Sequence, residues 1–515
     1  MLGLWAAPLG TDRPVSRTDR ALGGGLWLSG GVIVQGAVTI GVVAVLARLL
    51  PPADFGLVSA GLLVINFCGI FSQGLVGPAV VQHPALRDEH VESAFSISVL
   101  GGVGLLVALW VLAPAASRAL HADGLTPVVR ALAWILPVQG LGAVAEALLR
   151  RSLQFRAVAS IRMTSYTVGY GIVGIGVAVM GGGMWSLVAA NAAQVFLNTG
   201  LLLVRQPHRK QLRLHALAAR DLLATSGGII LGGLGNYTAR NGDNLVVVRG
   251  LGVAALGLYE RAYALMTMPA ALVGQVLDDV LFPTIAEIQA DRPRVAAAYR
   301  RCVAGVALVT LPLSAVLVIL APEIIAVILG PRWAEATIPF RILAIGTLFR
   351  TSYKISESLS RALGAVYRNA WRQWTYAALV VGGCIAGQHW GLAGVSWAVL
   401  GAIFANYLLT AQLGIGLVSL GWDEYVRAHS AGVKAAAVVA GPAWLAATLA
   451  RALLPASPLL VVGATLAVAL VAGTLLGAMR PRWLLGEDGQ WLVQRVIRFG
   501  MTKFRAVQPD AQRPR

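Results

Sequence analysis

Fourteen apolar runs dominate this 515-residue sequence, each close to the roughly 20 residues that an α-helix needs to cross a hydrocarbon layer about 30 Å thick. They fall at 22–47, 56–81, 93–114, 128–148, 163–181, 184–204, 221–248, 258–282, 302–320, 336–358, 371–388, 391–416, 431–450 and 458–479. With 57% hydrophobic and only 12% charged residues, the chain cannot be a string of soluble domains. The expectation is an all-α polytopic membrane protein, and the pairs 163–181/184–204 and 371–388/391–416 are expected to be tight hairpins.

The formal charge of +18 would raise the question of nucleic acid in a soluble protein, but here the cations lie mostly between apolar spans. Alternate loops concentrate them: Arg150, Arg151, Arg156 and Arg162; Arg205, Arg209, Lys210, Arg213 and Arg220; Arg292, Arg294, Arg300 and Arg301; Arg361, Arg368 and Arg372. The intervening loops carry little beyond Arg48, Arg118, Arg249, Arg332 and Arg451. By the positive-inside rule both termini are cytoplasmic, which requires an even number of spans. No loop between spans is long enough for an extramembrane domain. The first twenty residues lack the long apolar core and cleavage site of a secretory signal, so the first span is expected to be retained. Cys68, Cys302 and Cys384 are too scattered for a disulfide or zinc framework and read as packing residues. In the tail, Val493, Val496, Ile497 and Phe504 share a helical stripe with Arg495, Arg498 and Lys503 off it, either an interfacial amphipathic helix or a disordered basic tail.

An internal repeat refines this picture. At an offset of 201, Arg48–Leu57 aligns with Arg249–Leu258 with five of ten positions identical. At an offset of 208, Gly183, Phe196 and Asn198 align with Gly391, Phe404 and Asn406. Six helices separate the copies, so both share one orientation, as in a parallel repeat about an axis along the membrane normal. The expected organisation is a cytoplasmic N-terminus (1–21), an N-lobe of spans 1–6 (22–204), a basic linker (205–220), a C-lobe of spans 7–12 (221–416), spans 13–14 (417–479) and a basic tail (480–515). Two six-helix lobes facing a central cavity are transporter architecture.

Three segments carry a resemblance: Ala47-Arg48-Leu49-Leu50-Pro51-Pro52-Ala53-Asp54-Phe55-Gly56-Leu57, Leu75–Gln82, and Asn241-Gly242-Asp243-Asn244 running through Leu256-Gly257-Leu258-Tyr259-Glu260-Arg261-Ala262-Tyr263 to Leu281-Phe282-Pro283. Over roughly residues 20–416 the sequence resembles the polysaccharide-transporter branch of the multidrug/oligosaccharidyl-lipid/polysaccharide exporter superfamily. The resemblance implies a V-shaped flippase of the bacterial plasma membrane. Its implied cargo is undecaprenyl-diphosphate-linked oligosaccharide, moved by alternating access from the inner to the outer leaflet for lipopolysaccharide or exopolysaccharide synthesis. The partners it implies are that polyprenyl-linked substrate, membrane lipids and the polysaccharide polymerase machinery. A cation-coupled multidrug exporter and a peptidoglycan-precursor flippase of the same superfamily are the alternatives.

Charge inside a span costs at least about 2.5–3.5 kcal/mol, so intramembrane charges mark candidate cavities. Span 7 places Asn236, Arg240, Asp243 and Asn244 on one stripe, flanked by Tyr237 and Asn241. These residues either bind sugar and phosphate oxygens or form an Arg240–Asp243 pair that only packs the lobes. Span 10 aligns Arg350, Lys354 and Glu357, where two cations one turn apart call for an anion such as a diphosphate, or else snorkel to headgroups. Arg341 faces away from them, as a second gate residue or an anchor. Asp278 and Asp279, and more weakly Glu146, are the carboxylates available for ion coupling, or for salt bridges to loop arginines.

Neither an ATP-binding motif nor a hydrolase or metalloprotease signature is found, and the seven histidines show no metal-ligand spacing, so no cofactor or metal is expected. Asn236-Tyr237-Thr238 lies inside a span where no glycan could be attached. A polymerase or ligase would need a sizeable catalytic outer loop, and span 1 lacks the carboxylates expected of a cationic-drug exporter. The chain reads as a transporter, not an enzyme.

Overall fold

The structure is a computed structural model that describes residues 35–454 and 457–479 together with Trp483 and Gln490, without the side chains of 72–75, 223–232, 272–284, 286, 366–367 and 476. The start of span 1 and, apart from those two residues, the expected tail helix lie outside the described residues. Among the described residues all regular structure is helical. In chain order the helices are α1 (Gln35–Leu49), α2 (Pro52–Gln82), α3 (Asp88–Ala119), α4 (Leu125–Ala133), α5 (Ile135–Arg151), α6 (Phe155–Tyr166), α7 (Ile175–Val179), α8 (Met184–Arg205), α9 (Ala216–Leu251) and α10 (Val253–Glu287). They continue as α11 (Arg292–Ile319), α12 (Ala321–Ile328), α13 (Thr337–Ile345), α14 (Thr347–Ala362), α15 (Val366–Gly387), α16 (Gly391–Val418), α17 (Trp422–Ala428), α18 (Ser430–Leu453) and α19 (Pro458–Met479).

By length and composition, eight helical stretches among the described residues suffice to cross a membrane. One of them, 368–418, is the predicted hairpin of α15 and α16, turned at Gln388–Trp390. Two glycines let its arms meet, since a Cβ on Gly387 would sit 2.6 Å from the Gly394 carbonyl oxygen and one on Gly394 2.2 Å from that of Gly387. Other predicted spans are interrupted. Span 5 passes from α6 through a π-helical segment, Thr167–Gly174, into α7. Span 10, read as one helix, is two: α13 ends and α14 begins at Gly346, which separates Arg341 from Arg350. Spans 7 and 8 are long single helices, α9 and α10, and α9 carries the polar residues of the site.

The two aligned segments of the repeat touch each other. A Cβ on Gly56 would lie 1.7 Å from the Val253 carbonyl oxygen, and one on Gly257 would lie 2.0 Å from that of Pro52. The crossing of α2 and α10 is therefore reciprocal at the offset of 201 and depends on hydrogen in place of a side chain on both helices. Two further contacts repeat the pattern. The Arg48 guanidinium donates to the Val327 carbonyl at 2.6 Å, and that of Arg249 to the Ala119 carbonyl at 3.0 Å. Each arginine caps the last turn of a helix from the other repeat, where carbonyls lack helical partners and the dipole favours a cation. Trp333, fully buried, donates to the Ala47 carbonyl at 2.8 Å and packs edge-on against Phe55 at 5.2 Å, sealing the same end.

At the opposite end the linker between α8 and α9 is strapped to α3. Arg209 lies 3.2 Å from Asp88 and 3.6 Å from Glu92, His215 lies 3.2 Å from Glu92, and the His215 backbone N–H donates to Ser93 Oγ at 3.0 Å. Burial against Phe95 holds the His208 imidazole below its ordinary range, so it is neutral at pH 7.

The crossing makes a stability prediction. Gly257→Ala should lower stability by about 1–3 kcal/mol through overpacking. Gly200→Ala, in α8 with nothing within 4 Å, should be neutral or stabilising. Thermal melts of the purified protein in detergent check both.

Candidate functional site

A cavity of about 260 Å³ opens between α9, α14, α15 and α16. Asn236 and Arg240 reach it from α9, Arg350, Tyr353 and Glu357 from α14, Gln373, Trp374 and Tyr376 from α15, and Asn406 from α16. Gly235 is what lets α15 approach: a Cβ there would meet the Trp374 ring at 2.7 Å.

The two cavity arginines are held differently. Arg240 Nε donates to Asn236 Oδ1 at 2.9 Å, one turn back on the same helix, and its side chain is exposed to the cavity. Arg350 is half-buried, with its guanidinium 5.5 Å from the Tyr353 ring centroid and 6.0 Å from that of Tyr263. Aromatic faces attract a cation without neutralising it, so the guanidinium keeps donors for another anion. Asp243 does not pair with Arg240. It is 3% exposed, accepts from the Tyr259 hydroxyl at 2.7 Å and from the Asn244 backbone N–H at 2.9 Å, and acts on Arg350 only through space. The predicted stripe is thus divided, Asn236 and Arg240 facing the cavity and Asp243 facing α10.

Asn406 adds a polar group with spare capacity, because its buried Oδ1 has no hydrogen-bond partner. The lining therefore offers two guanidiniums, one carboxylate, two amides besides Asn406, and the rings of Tyr353, Trp374 and Tyr376. Guanidiniums suit phosphate oxygens, while amides and aromatic faces suit sugar hydroxyls and ring hydrogens.

The remaining predicted residues lie elsewhere. Asn241 donates to the Tyr237 carbonyl at 3.1 Å, and Asn244 is half-buried beyond the cavity lining. Arg341 is exposed on α13, and Lys354 is half-buried on α14 without lining the cavity. The side chains of Asp278 and Asp279 fall outside the described residues. Glu146 receives Arg150 at 2.6 Å and also pairs with Arg162, so its charge is matched locally where α5 meets α6. Tyr353, Gln373, Trp374, Tyr376 and Asn406 were not read as site residues from the sequence, although Asn406 stood in the repeat. For Gln373, Trp374 and Tyr376 the run Trp371-Arg372-Gln373-Trp374-Thr375-Tyr376 was the available signal, since so polar and aromatic a turn is ill-suited to lipid.

A second cavity, about 300 Å³, is lined from α1, α2, α8 and α10 among others and is mainly apolar, with Arg261 the only charged residue in its lining among the described residues. Arg261 sits 3.4 Å from Glu260 and 5.2 Å from the Phe55 ring centroid, and the Ser59 hydroxyl donates to Glu260.

The site makes its own stability prediction. Tyr259→Phe removes the donor to a buried carboxylate and should destabilise by about 1–3 kcal/mol. Arg240→Ala, at an exposed position, should leave the melting temperature within a degree or two of wild type. Denaturation followed by intrinsic fluorescence distinguishes them.

Comparison with known proteins places this architecture. Residues 45–338 match the family model described as polysaccharide biosynthesis protein. The chain is 28% identical over 306 residues to the succinoglycan biosynthesis transport protein ExoT of Rhizobium meliloti, spanning 59% of this chain and 61% of that protein. It is 21% identical over 406 residues to the lipopolysaccharide biosynthesis protein WzxC of Escherichia coli, covering 77% of this chain and 81% of the relative. The teichuronic acid biosynthesis protein TuaB of Bacillus subtilis is 23% identical over 359 residues, covering 68% and 73%. Among solved structures, the lipid II flippase MurJ in an inward closed conformation superposes with a TM-score of 0.68 at 12% identity, over 88% of this chain and 99% of that one. An inward-facing MATE transporter of the MOP superfamily superposes at 0.60 and 16% identity, over 75% and 94%. These likenesses show the fold, and the family match, which takes in the crossing glycines together with Asn236, Arg240 and Asp243, shows the lineage: the chain belongs to the polysaccharide biosynthesis protein family.

Proposed function

We propose that the protein is a flippase that moves a polyprenyl-diphosphate-linked oligosaccharide, with undecaprenyl as the carrier, from the inner to the outer leaflet of the bacterial plasma membrane. The observation that carries this reading is the cavity that brings Arg240 and Arg350 together with Asn236, Gln373, Asn406 and Trp374. The two guanidiniums take the diphosphate, the amides and rings take the first sugars, and the polyprenyl tail stays in lipid. Relatives named for succinoglycan transport, lipopolysaccharide and teichuronic acid synthesis support a surface-polysaccharide precursor as the cargo.

In this proposal fourteen spans form two six-helix lobes with two additional C-terminal helices, both termini are cytoplasmic, and the strapped linker lies on the cytoplasmic side. The lobes rock about the α2–α10 crossing, so the cavity opens alternately to each leaflet. Arg48 and Arg249 close the periplasmic end in the conformation described here. The protein is a transporter and not an enzyme, and delivers its cargo to the polymerase machinery outside. A cation-coupled drug exporter fits less well, because the cavity cations would repel a cationic drug.

In a deletion strain, lipid-linked oligosaccharide should accumulate in the inner leaflet while surface polysaccharide is lost, and the wild-type gene should reverse both. Arg240→Ala and Arg350→Ala, at normal protein levels, should each lower surface polysaccharide about ten-fold or more, the scale set by one charge-assisted hydrogen bond to phosphate. Arg350→Lys should restore only part, since an ammonium lacks the planar fork. Undiminished polysaccharide in both alanine variants would overturn the assignment of this cavity. Normal polysaccharide in the deletion strain with raised sensitivity to cationic drugs would favour the exporter, and a defect in peptidoglycan precursors would favour a lipid II flippase.

A further inference from the structure

Four of the seven histidines, His83, His90, His208 and His215, lie at the linker end, although their spacing in sequence suggests no ligand set. Two of them face a carboxylate from a distant part of the chain. His83 follows the last turn of α2, His90 is in the first turn of α3, and Asp221 is in the second turn of α9. One potential ligand atom from each lies within 4.8 Å of the others. The imidazole rings are 4.3 Å apart between centroids, and His90 Nε2 is 3.9 Å from Asp221 Oδ2.

The telling feature is that the two imidazoles present nitrogens with no hydrogen-bond partner. His90 is 1% exposed with Nε2 unpartnered, and His83 Nδ1 is likewise buried and unpartnered. Buried ring nitrogens are almost always satisfied, and two orphans beside one carboxylate need an explanation. A proton could be shared with Asp221, but it would leave one nitrogen still without a partner. A cation satisfies both nitrogens at once, with the Asp221 carboxylate as its third ligand.

We propose that His83, His90 and Asp221 form a binding site for a late first-row divalent cation of the zinc type. Two imidazoles and one carboxylate suit such an ion, with water completing its coordination. Bonds of about 2.1 Å require the ligand atoms to draw together by about an ångström. The Asp221 side chain, 56% exposed, is the least confined by packing of the three. Asp88, Glu89 and Glu92 flank His90 together with Arg87 and Arg209, so the charges nearest the site are mixed in sign. One existing contact opposes binding: the Arg87 backbone N–H donates to His90 Nδ1 at 3.2 Å, so ligation through Nε2 moves the imidazole proton to Nδ1 and releases that bond. The contact is long, and its loss weakens affinity without abolishing it. The bound cation would tie the α2–α3 turn to the start of α9, directly beneath the linker strap, and so join the two halves of the chain on this face.

The test uses full-length protein purified without a polyhistidine tag and titrated with zinc chloride by calorimetry, with metal content measured after gel filtration. Wild type should bind one zinc per chain and melt at higher temperature with zinc present. His83→Gln and Asp221→Asn, both at positions with solvent access, should each weaken binding at least ten-fold and remove the thermal shift, while His389→Gln at the opposite end should do neither. Absence of saturable binding to folded wild type would overturn the proposal, as would wild-type affinity in both His83→Gln and Asp221→Asn. Zinc retained by these two but lost on replacing Cys68, Cys302 and Cys384 would also overturn it, by placing the metal on thiols.

Discussion

Two glycines set the geometry on which everything else depends. At Gly56 and Gly257 the backbones of α2 and α10 come closer than any side chain would permit, each helix seating against a carbonyl of the other. Without a hydrophobic drive between helices in lipid, such close packing is a principal source of association. Because the contact is reciprocal, it ties the two aligned segments of the repeat directly to each other. The long polar helix α9 packs beside this crossing and thereby presents Asn236 and Arg240 to the interior instead of to lipid.

The two cavities are not copies of each other. The first is lined from the second half of the chain by arginines, amides and aromatic rings, whereas the other, lined from both halves, is mainly apolar around Arg261, which Glu260 matches. In the proposed transport the polar cavity serves the charged and hydroxylated head of the cargo, while the polyprenyl tail stays in lipid.

The helical character and several boundaries were legible because lipid imposes length and apolarity on every crossing segment: α8, α16 and α19 begin at the residues expected and the hairpin of α15 and α16 turns where expected, although eight helical stretches among the described residues are long and apolar enough to cross a membrane where fourteen spans were read. The breaks were less legible. Nothing in the composition of 336–358 marks Gly346 as a helix junction, since one glycine in an apolar run is more often a packing site; Arg341, read as facing away from Arg350 on one helix, is separated from it by that junction. At the site, helical periodicity correctly grouped Asn236 with Arg240, but it could not show that Asp243 would find a partner in Tyr259 on another helix. Trp374 and Asn406 were overlooked because aromatic and amide residues in spans are common, and only tertiary proximity distinguishes lining from packing. The histidine cluster was invisible for the same reason: His83 and Asp221 are brought together by the fold and by no motif.

The contacts of Arg48 and Arg249 at the end opposite the linker carry one more implication. Each bond takes up a carbonyl that the last turn of a helix leaves without a helical partner. Parting the two segments at this end therefore strands two guanidiniums and two helix ends together, so the contacts give way as a set.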